Sequence, residues 1–279
     1  MQSRRHLFPN VIEINHQAGH RLGVNVYLIE DGGEYVLIDV GYEDTIDEVL
    51  DVIRRMDFGL TSCKLLVATH ADVDHSQALA RAQKVMRAPV ACHKSCVDAL
   101  EKGDVETTFA RISAQDIDLP MPPVKIDRVL EEGDAIEVGS LKIDVWSTPG
   151  HAPGQLAFKL RNLLFVGDNI YRDGSVGVID AHHGSNLPDF IKSLERIRKD
   201  DAEYWLPSHG PVFRRDDELI KKTIERLTGY QYLADFGSCA VGWPLLQEWD
   251  AEIAAGVDPA APPAAVEKKP RKRVPGALS

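Results

Sequence analysis

The chain has 279 residues, of which 44% are hydrophobic, and its formal net charge is −11. This composition predicts a globular protein with a sizeable core and excludes a fibrous or wholly disordered chain. The negative charge argues against non-specific nucleic-acid binding, which depends on Lys and Arg side chains that neutralise phosphates. We therefore expect no nucleic-acid partner.

The sequence also argues against a membrane protein. No apolar stretch approaches the roughly 20 residues that span a bilayer. The first ten residues, MQSRRHLFPN, lack the hydrophobic core of a signal peptide. We expect a cytoplasmic protein with no membrane partner.

The cysteines are too few and too scattered for a disulfide framework; they are Cys63, Cys92, Cys96 and Cys239. Cys92 and Cys96 flank the sequence HKS, which is a looser spacing than C-x-x-C. Burial near the start of a helix is therefore expected for this pair, rather than a metal or redox site.

The first predicted elements are two strands, at residues 24–29 and 35–39, joined by the glycine-containing turn EDGGE. Residues 44–56 place apolar side chains at a helical period after an acidic start, which predicts a helix. Residues 65–68 form a buried strand, and SQALARAQKVM, at residues 76–86, is a second amphipathic helix.

Further along, helical periods at residues 187–197 and 217–227 accompany the strands of the second half. Strands and helices in both halves predict two sheets packed face to face with helices outside, a four-layer α/β sandwich. We assign residues 1–230 to this domain and 231–258 to a C-terminal helical extension. Residues 259–279 are rich in Pro and Ala and then basic, which predicts a disordered tail.

Side chains that can bind metals follow several of the predicted strands. Four of them, His70, Asp72, Asp74 and His75, follow a predicted strand in the segment KLLVATHADVDHSQA. Three later apolar runs are followed by His151, Asp168 and His209. Imidazole and carboxylate groups suit Zn, Fe and Mn. Turns and helix N-caps also favour Asp, which accounts for any one of these residues but not for the whole ordered set.

The segments THADVDH, TPGH, VGD and PSHG, in this order, resemble the metallo-β-lactamase superfamily, whose motif is H-x-H-x-D-H followed by a distal His, a distal Asp and a final His. The resemblance covers about residues 8–229 and implies an αββα sandwich of two mixed sheets. It implies seven ligands for two metal ions: His70, Asp72 and His151 for the first, Asp74, His75 and His209 for the second, and Asp168 bridging both. Asp39, at the end of YVLID, matches a structural Asp-x-Gly turn of the family and is expected to support the ligands from outside.

Asp72 departs from the family pattern, because most members have histidine at this place. A carboxylate here resembles the flavodiiron proteins, which have Glu, and some phosphodiesterase-like branches. A carboxylate makes the first metal a weaker Lewis acid and favours harder ions such as Fe or Mn. The expected cofactors are two divalent metal ions, with zinc as the first choice and iron or manganese as alternatives.

The resemblance implies a hydrolase in which a metal-bridging hydroxide attacks an ester, thioester, lactone or phosphoester bond of a small molecule. Asp74 would hold this nucleophile and carry its proton to the leaving group, which makes it the candidate catalytic residue. Two alternatives stay open. One is an iron-dependent oxidoreductase, either a diiron enzyme or a relative of the persulfide dioxygenases; the other is a non-catalytic metal-binding module.

Three histidines outside the motif are candidates for substrate binding: His20 in NHQAGHRLG, and His182 and His183 in DAHHGSN. An exposed loop position is the alternative for His20, and support of a metal ligand is the alternative for both His182 and His183. Ser185 or Asn186 is expected to cap the helix that follows. Symmetric association into a homo-oligomer stays open, since it leaves no simple mark in a sequence.

Overall fold

A computed structural model of the chain describes residues 3–15 and 23–233, together with positions 251, 254 and 255. In the described part, the first half of the chain contributes β1 (Ser3–Phe8), β2 (Val11–Asn15), β3 (Val26–Asp31), β4 (Glu34–Ile38), β5 (Cys63–Val67), β6 (Val90–His93), β7 (Arg111–Ile112), β8 (Ile117–Asp118) and β9 (Arg128–Leu130). β7 and β8 form a small ribbon, and the other strands form a seven-stranded sheet in the order β1-β2-β3-β4-β5-β6-β9.

The second sheet contains strands that follow one another in chain order: β10 (Ala135–Val138), β11 (Leu141–Ser147), β12 (Leu156–Leu160), β13 (Leu163–Gly167), β14 (Tyr204–Pro207) and β15 (Phe213–Arg214). The described helices are α1 (Ile46–Arg55), α2 (Val73–Ser76), α3 (Leu79–Met86), α4 (Lys94–Lys102), α5 (Leu187–Lys199) and α6 (Asp217–Tyr230). Both sheets are mixed, since β4, β5, β6 and β9 pair in parallel, as do β13 and β14, whereas the other neighbours pair antiparallel.

The central strands are apolar on both faces because each sheet is covered on both sides. In β3, Tyr27 and Ile29 contribute to the core between the sheets, while Val26 and Leu28 pack toward the helices. This alternation follows from the two-residue period of a strand. Burying a large apolar side chain contributes about 1.5–3 kcal/mol, so both faces stabilise the fold.

The helices cover the two outer faces of the sandwich. Side chains of α1, α3 and α4 pack with the first sheet, and side chains of α5 and α6 pack with the second, around the fully buried Trp205. The layers therefore run helices, sheet, sheet, helices, which confirms the αββα fold predicted from the sequence. Cys92 and Cys96 are buried free thiols in the outer core of the first sheet.

Two local features differ from the prediction. A β1–β2 hairpin precedes the first predicted strand. The predicted helix at 76–86 is two helices, because the amide of Ala78 donates to the carbonyl of Gly41 (3.1 Å) instead of continuing the helical ladder. Along the part of the chain that the structure describes, no helix combines the length and the apolarity needed to cross a membrane.

The two sheets are joined at the edge where their parallel strands end. The amide of Leu156 donates to Thr69 O (2.8 Å), and the amide of Asn25 donates to Ser208 O (2.7 Å). Thr69 follows β5 and Ser208 follows β14, so the loops that carry the predicted ligands meet here.

Candidate metal centre

The strand-end loops bring all seven predicted ligands together. Three groups of side chains each have donor atoms that lie within 4.8 Å of one another. These groups are His70, Asp72 and His151; His70, His75 and Asp168; and Asp74, His75 and His209. We call the first group the inner trio and the last group the outer trio.

In the inner trio, Asp72 Oδ2 lies 3.1 Å from His151 Nε2 and 3.4 Å from His70 Nε2. The two imidazole Nε2 atoms are 3.2 Å apart. Donors that bind one zinc-sized ion at about 2.0–2.2 Å lie at this kind of mutual separation. The inner trio therefore has the dimensions of one metal site.

In the outer trio, Asp74 Oδ2 lies 3.3 Å from His209 Nε2 and 3.4 Å from His75 Nε2. Asp168 lies between the two trios, with its Oδ2 3.5 Å from His209 Nε2, 3.7 Å from His75 Nε2 and 3.8 Å from His151 Nε2. One carboxylate is thus within reach of both trios.

Two observations show that the site fits a divalent metal ion. Asp72 occupies the N-cap position of α2, yet its side chain makes no capping hydrogen bond, so helix capping does not account for this aspartate. His75 Nε2 is buried and has no hydrogen-bond partner among the described residues. A buried polar atom without a partner costs about 1–3 kcal/mol, a cost that coordination of a cation removes.

The charges of the site are strongly coupled. Burial lowers the pKa of His70. At His151 burial also acts to lower the pKa, but Asp72 and Asp168 outweigh it and raise the pKa to about 9. Burial likewise opposes the charge on His209, but Asp168 and Asp74 raise its pKa to about 10. Without a cation His151 and His209 therefore hold protons, and a metal ion that binds must displace them.

Asp39 supports the site from behind. Its Oδ1 accepts from Thr69 N (2.8 Å), and its Oδ2 lies 3.0 Å from His75 Nδ1. Thr69 Oγ1 donates to Asp39 Oδ2 (2.9 Å) and lies 2.9 Å from His70 Nδ1. A carboxylate on the far nitrogen of a histidine fixes its tautomer and ring orientation, which is the support expected of Asp39.

Backbone carbonyls orient the other two histidines. His151 Nδ1 lies 2.7 Å from Val178 O, and His209 Nδ1 lies 2.7 Å from Gly23 O. Gly177 lets its loop approach His151 closely, because a Cβ atom at this position would lie 2.7 Å from His151 Cγ. Each ring thus directs Nε2 into the site.

The structure places two of the histidines outside the motif, His182 and His183, differently with respect to the trios. His183 is buried, and its Nε2 lies 2.7 Å from Asp72 Oδ1. The side chain of His182 is 91% exposed and lies 3.3 Å from Asp180 Oδ1, so the structure does not bring it to the trios. His20 lies outside the described residues. Asn186 caps α5 by accepting from Asp189 N (3.0 Å).

Sequence reasoning missed several residues that shape the site. Thr69 and Ser208 directly precede His70 and His209, so their neighbours in the chain could have indicated them. Phe109 stacks on His183 with ring centroids 3.6 Å apart, and no motif marks it. Tyr171 packs edge-on against His209, and burial together with the Asp168 carboxylate raises its pKa.

Comparison with known proteins agrees with this geometry. Residues 20–209 match the family description "Metallo-beta-lactamase superfamily", and the chain belongs to this superfamily. It is 29% identical to the acyl-coenzyme A thioesterase MBLAC2 of Gallus gallus over 71% of this chain and 76% of that protein. It is 27% identical to a probable metallo-hydrolase of Methanocaldococcus jannaschii over 70% of this chain and 91% of that protein.

Solved structures show the same fold. A metallo-β-lactamase from Cronobacter sakazakii superimposes with a TM-score of 0.65 over 90% of this chain and 98% of that chain, at 16% identity. A protein solved in a di-iron-bound form is 30% identical, with a TM-score of 0.59 over 73% of this chain and 94% of that chain. The chain is therefore a metal-binding hydrolase of this superfamily.

Proposed function

We propose that the protein is a dinuclear metallohydrolase that cleaves a thioester bond of a small molecule. The observation that carries this proposal is the pair of His/Asp trios that share Asp168. The thioester is favoured over an ester, lactone or phosphoester because relatives over most of the chain are named as acyl-coenzyme A thioesterases.

In this proposal His70, Asp72 and His151 hold the first ion, Asp74, His75 and His209 hold the second, and Asp168 reaches both. Two divalent ions, when bound, supply Lewis-acid activation of the scissile carbonyl and of the attacking water. Zinc fits the donor set, while the carboxylate of Asp72 and the di-iron form of a 30% identical protein favour iron.

The protein's own groups orient the nucleophile and move its proton. The Asp74 side chain is 18% exposed, whereas those of Asp72 and Asp168 are 8% and 7% exposed. Asp74 is thus the carboxylate most open to an entering substrate. It accepts a proton from the attacking water and passes it to the leaving thiolate.

The experiment is a substrate panel of acyl-coenzyme A thioesters, a lactone and a phosphodiester, assayed with protein loaded separately with Zn, Fe or Mn. We expect metal-dependent thioester cleavage, and D74A should lower kcat by about 10²–10⁴-fold, the usual contribution of a positioned acid or base. D51N, on the exposed face of α1, is the matched control. Full thioesterase activity in metal-free protein or in D74A would contradict the proposal.

A second candidate is an iron-dependent oxidoreductase, favoured by the di-iron form of the 30% identical protein. Elemental analysis after growth with Zn, Fe and Mn all present separates the two. Iron in the purified protein, with O₂ consumed and sulfite formed from glutathione persulfide, would support oxidation. Absence of that turnover in iron-loaded protein would exclude this candidate.

A further inference from the structure

The loop that leads from β13 to α5 contacts the inner trio at three places. Val178 O lies 2.7 Å from His151 Nδ1, Ser185 Oγ donates to His151 O (2.5 Å), and His183 Nε2 donates to Asp72 Oδ1 (2.7 Å). Two members of the inner trio are therefore held by one loop. Among these three contacts, only the one from His183 joins a side chain to the carboxylate of a candidate ligand, Asp72.

The ring of His183 is fixed in place. Its side chain is 3% exposed and stacks on Phe109 at an interplanar angle of 22°. Phe109 has a left-handed backbone conformation, with φ 55°, and its neighbour Thr108 accepts a hydrogen bond from Val73 N (2.7 Å). The segment that carries Phe109 is thus tied to the turn that carries Asp72, and His183 is clamped between them.

The two oxygens of Asp72 have different partners. Oδ2 faces His70 and His151, whereas Oδ1 accepts from His183. Asp72 makes no capping bond to α2, so the bond from His183 restrains the carboxylate through the oxygen that does not face His70 and His151. A carboxylate with both oxygens free can bind a metal through one oxygen or two, while an imidazole always presents a single atom.

We propose that His183 is a positioning residue that restricts Asp72 to one metal-facing oxygen, so that an aspartate occupies the place of a histidine in this site. The inference rests on the assignment of Asp72 as a ligand in the proposed function. It adds that Asp72 and His183 act as a pair: the loss of His183 harms the site only when residue 72 is an aspartate.

The test is a metal titration and needs no substrate. Metal-free protein is titrated with Co²⁺ in competition with a chromophoric chelator, for wild type, H183L, H183Q and the control H182L. Loss of a group that hydrogen-bonds a metal ligand typically lowers metal affinity by about 10- to 100-fold. In H183L we expect a loss of this size in the affinity for one of two Co²⁺ equivalents. In H183Q, which keeps an N–H donor, the affinity should recover, and in H182L it should not change.

The decisive comparison uses the D72H background, where H183L should change Co²⁺ affinity by less than twofold. Equal losses in the D72 and D72H backgrounds, or equal weakening of both Co²⁺ equivalents, would overturn the inference and indicate a merely structural role. Thermal unfolding of the metal-free variants checks folding, and H183N, whose amide is too short to reach Asp72, replaces H183L if that variant does not fold. If the Co²⁺ titration gives the expected result but the protein does not cleave thioesters, only the proposed function is rejected.

Discussion

The inner and outer trios each consist of two histidines and one aspartate, but they differ in how exposed these side chains are and in which residues support them. In the inner trio the side chains of His70 and Asp72 are 0% and 8% exposed, and in the outer trio those of Asp74 and His209 are 18% and 23% exposed. The inner trio is held by the loop that carries Val178 and His183. The inner trio is thus the more buried half of the site, and under the proposed function we expect it to retain its ion more tightly, while the more exposed outer half admits substrate.

The support of the outer trio comes from a different part of the chain. Asp39, directly after β4, contacts His75, and Gly23 O, in the segment before β3, contacts His209. Variants at these contacts should therefore affect the two halves of the site unequally, and the variants below are ordered from the largest expected effect to the smallest.

The largest effect is expected when the shared carboxylate is neutralised. D168N removes the negative charge that lies within 4 Å of histidines in both trios. We expect metal content to fall from two ions to fewer than one per chain, measured by elemental analysis. D51N, which changes an exposed carboxylate on α1, should keep both ions. Retention of two ions by D168N would show that the trios are independent.

D39N should weaken the outer trio more than the inner one, because Asp39 contacts His75 directly but reaches His70 only through Thr69. The amide keeps the shape of Asp39 but presents a weaker acceptor to His75 Nδ1. Such changes lower metal affinity by about 10- to 100-fold. Competition titration should show the larger loss in one equivalent, and equal losses in both equivalents would remove the distinction between the trios.

G177A should disturb the inner trio through packing. The added Cβ atom would lie 2.7 Å from His151 Cγ and 2.9 Å from Asp168 O. Overpacking of this kind costs about 1–3 kcal/mol, measured by denaturant unfolding of the metal-free protein. G229A in α6 is the matched control, because a Cβ atom there meets nothing within 4 Å. Since alanine favours a helix over glycine, G229A should be neutral or stabilising, and equal destabilisation by both variants would contradict the prediction.

The remaining prediction concerns pH. The pKa of His151 is about 9 and that of His209 about 10 in the folded metal-free protein, above the ordinary value of 6.5. The stabilisation that they contribute is therefore fully present below pH 6.5 and is lost as pH rises through 9 to 10. We expect the Tm of metal-free protein to fall over this range, by about 2–4 °C for each kcal/mol lost.

The same titration has the opposite sign for the metal-loaded protein, because protons compete with the ion for His151 and His209. Metal affinity should rise with pH over this range, measured by competition titration in non-coordinating buffers. An affinity that falls between pH 6.5 and 9 would show that these imidazoles are not displaced by the ion.

Much of the fold and of the candidate site follows from local patterns. Apolar runs with a period of two and apolar stripes with a helical period predicted the strands and helices around His70, Asp168 and the α5 segment. The candidate ligands could be identified from the sequence because they follow strand ends, where a polar side chain beside the apolar core is costly unless it is bonded. The family motif then ordered them into two sets.

Other features depend on how distant loops dock, and no local pattern encodes that. His183 and Asp72 are 111 residues apart and meet at 2.7 Å. The sequence left His183 open between substrate contact and ligand support, and it contained no sign that Phe109 would stack on it. The close approach of Gly177 to His151 was likewise invisible, because a glycine required by packing looks like any loop glycine.

The sequence by itself therefore determined the alternation of strands and helices, the four-layer fold and the set of candidate metal ligands, because these arise from periodicity and from motifs within a few residues. The tertiary structure alone decided which carboxylate oxygen faces which histidine, how exposed each trio is and which loop supports it. The physical reason is that hydrogen-bond geometry and burial are set by contacts between segments far apart in the chain.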